Sequence, residues 1–220
     1  MAKPVVAFDL DGTLIDSAPD IHALANQVLA DEGAAPLTMG ETRSFIGQGA
    51  AHFIAQMRAA RDIPNDEQAR LLAAFMAGYD GAVAHTIVFP GVVSALEALM
   101  ADGITLAICT NKPERPTATV LEHFGLARFF RVVIGGDTLP VRKPDAAPVI
   151  AAFDRAGAAG PRIFVGDSEI DAGAAQAAGV PFLLFTEGYR KTPIADLVHA
   201  AAFADFAELP GLVKGLVNGR

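Results

Sequence analysis

Apolar residues gather along this chain in short unbroken runs instead of alternating with polar ones. The runs are Val5-Val6-Ala7-Phe8, Ile104-Thr105-Leu106-Ala107-Ile108-Cys109, Val132-Val133-Ile134, Ile163-Phe164-Val165 and Phe182-Leu183-Leu184-Phe185, and a polar residue or glycine follows each one. A strand that is apolar at nearly every position is buried on both faces, which is the condition of a parallel sheet covered by helices. Between the runs the spacing turns helical. Val92, Leu96, Leu99 and Met100 share one face that stops at Gly103, and Val120, Leu121 and Phe124 share another that stops at Gly125. Strand and helix alternating, with glycine stops, predict a doubly wound α/β sheet.

One connection breaks this rhythm. The first run ends at Phe8 and the second begins at Ile104, far too long an interval for a single crossover. Ser17-Ala18-Pro19-Asp20 opens it with a helix-start signal, a serine cap followed by an acid three residues on. Ile21, Leu24, Ala25, Val28 and Leu29 then follow an amphipathic helical spacing, and Leu71, Leu72, Phe75, Met76 and Tyr79 mark a second such face. Between them lies a glycine-bearing piece, Ile46-Gly47-Gln48-Gly49-Ala50. The pattern predicts an all-helical insertion over residues 16–88 that returns at Phe89-Pro90-Gly91, and an α/β core made of residues 1–15 and 89–220.

Composition narrows the class. A chain of 220 residues fits one large domain or one domain with an insertion. With 52% hydrophobic and 19% charged residues it is not a disordered chain. Its mean hydropathy of +0.35 is high, yet no apolar run approaches the ~20 residues of a membrane span, so no membrane partner is expected. A single cysteine, Cys109, excludes an intrachain disulfide and a multi-cysteine metal site. It lies within a strand and is expected to be buried and inert. Met1-Ala2-Lys3-Pro4-Val5 runs straight into the first strand, unlike a signal peptide, and a reducing cytoplasm is the expected compartment. The net charge of −8 would repel a polyanion, so no nucleic-acid partner is expected. A small anionic substrate stays open, because a pocket can differ locally from the whole.

Candidate chemistry lies where the strands end. In open parallel sheets, ligands bind outside the carboxyl ends of the strands. The first strand runs into Asp9-Leu10-Asp11-Gly12-Thr13. Two carboxylates around one pocket repel, and a divalent cation relieves the repulsion; a bare Asp-x-Asp also fits a strand end that turns at Gly12. The second strand ends in Thr110-Asn111-Lys112, where a hydroxyl and free backbone N–H groups can grip a phosphate or cap the next helix. Lys143, in Arg142-Lys143-Pro144-Asp145, can supply a fixed charge beside an anion or stand in solvent. The fourth strand ends in Gly166-Asp167-Ser168-Glu169-Ile170-Asp171, and two acids spaced i, i+4 can face one site with the hard oxygen ligands that suit Mg²⁺.

Four such motifs in order, at four successive strand ends, resemble those of the haloacid dehalogenase-like superfamily in its phosphatase branch, and the helical insertion resembles that superfamily's C1 cap. Ile46-Gly47-Gln48-Gly49-Ala50, Phe89-Pro90-Gly91-Val92, Cys109-Thr110-Asn111-Lys112-Pro113, Ile134-Gly135-Gly136-Asp137-Thr138-Leu139-Pro140, Lys143-Pro144-Asp145 and Glu187-Gly188-Tyr189 are similar to segments of the bacterial phosphoglycolate phosphatases. Glu169-Ile170 departs from the family pattern, where an Asn before the second acid is common. The resemblance implies a hydrolase of small phosphate esters, 2-phosphoglycolate first. Asp9 would be its nucleophile, Asp11 its acid and base, and Lys143 a charge stabiliser. It implies Mg²⁺ at Asp9, Asp11 and Asp167, with Asp171 in support. Phosphate contacts would come from Gly12, Thr110, Asn111 and Lys112. Substrate selection would come from the cap, through Gln48, Gly49, Ala50 and Arg43. For Arg43 a solvated helix arginine is the competing expectation. The five histidines show no ligand spacing and are read as structural or surface groups.

Other functions remain on this scaffold: a phosphatase for another small metabolite or pyrophosphate, a phosphosugar mutase, a dehalogenase, or a phospho-accepting regulatory domain. The first two keep every core motif, but a mutase needs a cap site for a second phosphate. A dehalogenase lacks an acid at the position of Asp11, and a receiver domain is shorter and has no cap. The expected partner is a small phosphorylated metabolite, and the chain is expected to be a monomer or homodimer.

Overall fold

The computed structural model describes residues 3–219; Met1, Ala2 and Arg220, the ends of the expected core segments, lie outside them. In chain order the elements are β1 (Val5–Phe8), β2 (Ile15–Asp16), α1 (Ala18–Asp31), α2 (Met39–Phe45), α3 (Ala50–Ala59), α4 (Gln68–Tyr79), β3 (Ile87–Val88), α5 (Val92–Ala101), β4 (Thr105–Cys109), α6 (Glu114–His123), β5 (Phe130–Ile134), α7 (Ala146–Ala156), β6 (Arg162–Gly166), α8 (Glu169–Ala178), β7 (Phe182–Phe185), β8 (Ala201–Phe203) and α9 (Leu209–Val217). Six strands form one sheet in the order β5-β4-β1-β6-β7-β8, and every neighbouring pair is parallel.

The continuous apolar runs explain the layers. Side chains alternate across a strand, so β1 sends Val6 and Phe8 to one face and Val5 and Ala7 to the other. Val6 and Phe8 pack with Leu96, Leu99, Val120, Leu121 and Val213 of α5, α6 and α9. Val5 and Ala7 pack with Val149, Phe153, Ala174 and Ala175 of α7 and α8. Helices therefore cover both faces, and the short alanine side chains of α8 let it lie close to the sheet. Met100 departs from the expected stripe: Val92, Leu96 and Leu99 are buried on α5, while Met100, near the end of the helix, is exposed.

Because the chain steps outward from β1 to β4 and β5 and then returns to β6 on β1's other side, its direction reverses beside β1. The carboxyl ends of β1, β4 and β6 thus open on one crevice at a topological switch point.

Helices α1 to α4 pack around a separate apolar cluster that includes Ile21, Val28, Leu29, Phe53, Met57, Leu71 and Phe75. The chain passes between this cluster and the sheet along a small antiparallel ribbon, in which Ile15 pairs with Val88 and Asp16 with Ile87. Ser17 does not cap α1 with its side chain; its Oγ donates to Asp11 Oδ1 at 2.6 Å. A neighbouring acid closes the base of the insertion. Asp20 accepts from the His85 N–H, the Thr86 N–H and the Thr86 hydroxyl, the last two at 2.7 and 2.6 Å. Asp20→Ala would leave three donors without an acceptor at a buried joint. It is expected to destabilise the protein by about 2–4 kcal/mol, read from the urea midpoint. A loss under ~1 kcal/mol would mean that water replaces the carboxylate and that the joint is held by the ribbon alone.

Candidate active site

Asp9 follows β1, Thr110 follows β4, and Asp167 follows β6, so three strand ends deliver them to the crevice. The carboxylates of Asp9, Asp167 and Asp171 are all buried, and one oxygen from each lies within 4.8 Å of the others. Lys143, in the loop before α7, reaches between them. Its Nζ donates to Asp9 Oδ1 at 2.8 Å and to Asp171 Oδ1 at 2.6 Å.

These charges are costly to bury, and the acids respond. Burial, assisted by the charges of Asp171 and Asp11, pushes the Asp9 carboxyl up to about 7 even though Lys143 opposes it. Asp167 is raised well above the usual carboxylate range, mainly by burial and then by the charges of Asp171 and Asp9. Burial alone would lower Lys143, but Asp171 and Asp9 more than offset it, and the ammonium is held.

The three acids are not equivalent. Both oxygens of Asp171 are engaged: Oδ1 by Lys143, Oδ2 by the Ser168 hydroxyl at 2.6 Å and by the Asp167 and Ser168 N–H groups. This is a capping box in which Ser168 and Asp171 fix the start of α8. Asp171 thereby holds Lys143 and the loop that carries Asp167. Asp167 is aimed by the Thr13 hydroxyl at 2.8 Å and the Tyr189 N–H at 2.6 Å. Gly12 allows that approach. Its φ is +88°, and a Cβ there would stand 2.6 Å from Asp167 Oδ2 and 2.8 Å from Tyr189 Cδ2. A hard divalent cation fits this set, since Asp9 and Asp167 offer adjacent carboxylates whose mutual repulsion it would relieve.

Beside the acids opens a cleft of about 420 Å³, its mouth included, lined by Asp9, Asp11, Thr110, Asn111 and Lys112 from the sheet. From the insertion come Gly47, Gly49, Ala50 and an apolar wall of Ile21, Ile46, Phe53 and Phe75. Gln48 lines an adjoining cavity with Asp167, Glu169, Tyr189 and Lys191. Asn111 ties the two halves together: its Nδ2 donates to the Gly47 and Lys143 carbonyls, both at 2.9 Å, and its Oδ1 accepts from the Lys143 N–H. Asp11 Oδ1 receives Ser17 Oγ and, at 3.3 Å, Lys112 Nζ. Oδ2 has no protein partner among the described residues.

Arg43 is half exposed, pairs with Asp16 at 3.2 Å beside the ribbon, and is not among the described residues that line either cavity. Cys109 is buried as expected, and burial pushes its thiol up to about 12, which leaves no thiolate for chemistry. Tyr79 is a residue whose part the hydrophobic pattern did not reveal. It sits on the expected core stripe, but its hydroxyl meets Lys112 Nζ at 2.9 Å across the crevice. Thr13 and Tyr189 were visible only as members of their motifs, with no sign of their common hold on Asp167.

A family described as haloacid dehalogenase-like hydrolase matches residues 6–185. A phosphoglycolate phosphatase of Rhodobacter capsulatus is 46% identical over 214 residues, covering 96% of this chain and 97% of the relative. One from Rhodospirillum rubrum is 43% identical and covers 95% and 90%. The crystal structure of a predicted phosphoglycolate phosphatase from Haemophilus somnus superposes with a TM-score of 0.88 at 32% identity, covering 95% of this chain and 97% of that one.

Proposed function

Because the chain belongs to the haloacid dehalogenase-like hydrolase family, we propose that it is a Mg²⁺-dependent phosphomonoesterase that converts 2-phosphoglycolate to glycolate and phosphate through an aspartyl-phosphate. One observation carries this reading: a buried Asp9, held by Lys143 and flanked by Asp167, faces a cleft that Asp11 shares.

In the proposed reaction an oxygen of Asp9 attacks phosphorus in line, and the bond from phosphorus to the leaving oxygen breaks. Asp11 gives that oxygen its proton. Water then attacks the phosphoryl group on Asp9 while Asp11 takes a proton back, and phosphate leaves with Asp9 restored. Lys143, the Thr110 hydroxyl and the backbone at Asn111 stabilise negative charge on the transferring oxygens. Asp9, Asp167 and the Asp11 carbonyl would hold Mg²⁺, and Asp171 would orient the set. The bound cation would neutralise charge on the phosphoryl group and the acids. Gln48, Gly49 and Ala50, placed over the crevice by the insertion, help to exclude water.

The test is phosphate release from a panel of small phosphomonoesters and pyrophosphate, with and without Mg²⁺. The expected result is Mg²⁺-dependent release with 2-phosphoglycolate hydrolysed fastest; preference for pyrophosphate, or sugar-phosphate isomerisation without release, would sink the reading. Metal binding also has its own signature. With its folded pKa raised from 3.8 to about 7, Asp9 keeps a proton that the unfolded chain has already released. Metal-free stability therefore falls as pH rises through that window. A cation needs the ionised carboxylates, so its stabilisation grows over the same window. The rise in melting temperature caused by Mg²⁺ is expected to be clearly larger at pH 8 than at pH 5. An equal rise at both would place the ion elsewhere.

A further inference from the structure

Resting on the phosphatase reading, we propose that Lys112 and Tyr79 form a subsite for a carboxylate on the leaving group, and that this pair selects small phosphorylated acids over neutral phosphate esters.

Lys112 is the one cationic side chain among the described residues lining the main cleft, and apart from the Tyr79 hydroxyl the side chains facing it from the insertion are apolar. Its side chain is 2% exposed, and such a charge stays buried only with partners. An ammonium has three donors. Nζ gives one to Tyr79 Oη at 2.9 Å and directs another at Asp11 Oδ1 over a long 3.3 Å, so it can take a further acceptor. The other buried lysine is committed elsewhere: Lys143 is clamped by Asp9 and Asp171 and does not line the cleft.

The two lysines thus divide the substrate. Lys143 serves the nucleophile's side. Lys112 touches Asp11, the group that would protonate the leaving oxygen, and so stands on the leaving group's side. A carboxylate one methylene beyond that oxygen comes within reach of Nζ, while the Tyr79 hydroxyl can turn to donate to it. Lys112 belongs to the loop after β4 and Tyr79 to the end of α4, so a carboxylate between them is gripped by the sheet and by the insertion at once. A neutral leaving group gives the buried ammonium no new partner. Lys191 is the rival cation, but it is exposed and lines the adjoining cavity on the Asp167 side.

The experiment compares kcat/KM for 2-phosphoglycolate with that for 2-hydroxyethyl phosphate, a neutral ester of similar length. Wild type is expected to favour the acid by ~100-fold or more, as sites built for a charged group do. That ratio should fall to within about tenfold of unity in Lys112→Met, and part of the way in Tyr79→Phe. Tyr79→Phe removes only a hydroxyl and keeps the ring, whose centroid lies 4.9 Å from that of Phe75, so it tests the subsite even if Lys112→Met does not fold. Lys191→Ala should keep the wild-type ratio. Retention of the wild-type ratio in the Lys112 or Tyr79 variant, or its loss in Lys191→Ala, overturns the proposal. Equal turnover of the two esters by wild type overturns it while leaving the phosphatase intact, whereas no phosphate release from any ester overturns both.

Discussion

Asp9→Asn is expected to fold normally and to lose phosphate release by on the order of 10⁴-fold or more. The substitution keeps the shape and the Oδ1 acceptor that Lys143 grips at 2.8 Å, but replaces the attacking oxygen with an amide. It should not harm the fold, because burial already drives the Asp9 carboxyl up to about 7, so a neutral group suits this position. The sign is specific. Above pH 7 the wild-type chain must carry an ionised carboxylate there at a cost in the absence of metal, and the variant carries none. At pH 8 without metal its urea midpoint should equal or exceed that of wild type. Acid quench during turnover should also place a phosphoryl group on the peptide containing Asp9 in wild type and leave the variant unlabelled. Near-normal, Mg²⁺-dependent phosphate release by Asp9→Asn would end its assignment as nucleophile.

The sheet was legible in the sequence where burial on both faces writes an unbroken apolar run, as at β1, β4, β6 and β7. Shorter elements left no such mark. The edge strand β8 is only Ala201–Phe203, and each strand of the β2–β3 ribbon has two residues, too few to show a period. The candidate site was legible at the strand ends, since the motif order fixes which loops meet. It was not legible where a side chain chooses between a local and a distant partner. Ser17 has the sequence signature of a helix cap, yet its hydroxyl goes to Asp11. Arg43 goes to Asp16. Tyr79 obeys the helical stripe of α4 and still reaches Lys112 with its one polar atom. Hydrophobic periodicity reports where a ring is buried and says nothing about where its hydroxyl points. Thr13 and Asp167 lie 154 residues apart in sequence, and only the parallel pairing of β1 with β6 brings them together.

The second large effect is expected at Asp11, and it should depend on the leaving group. Asp11→Asn keeps an oxygen that can still accept from Ser17 Oγ and Lys112 Nζ, so the local packing survives. It removes the proton donor that an alkoxide needs in order to depart. With 2-phosphoglycolate, transfer of the phosphoryl group to Asp9 should slow by ~10²–10⁴-fold. With 4-nitrophenyl phosphate the leaving phenolate is stable without a proton, and the same step should slow by no more than about tenfold. The second half-reaction loses its base with either ester, so aspartyl-phosphate should accumulate from the aryl substrate. Rapid mixing would then show a burst of nitrophenolate approaching one equivalent per active site, followed by a slow steady rate. Wild type, with its base intact, should show a much smaller burst. Equal slowing of phosphoryl transfer from both esters would remove Asp11 from proton transfer, and its place in the site would then be that of an anchor for Ser17 and Lys112.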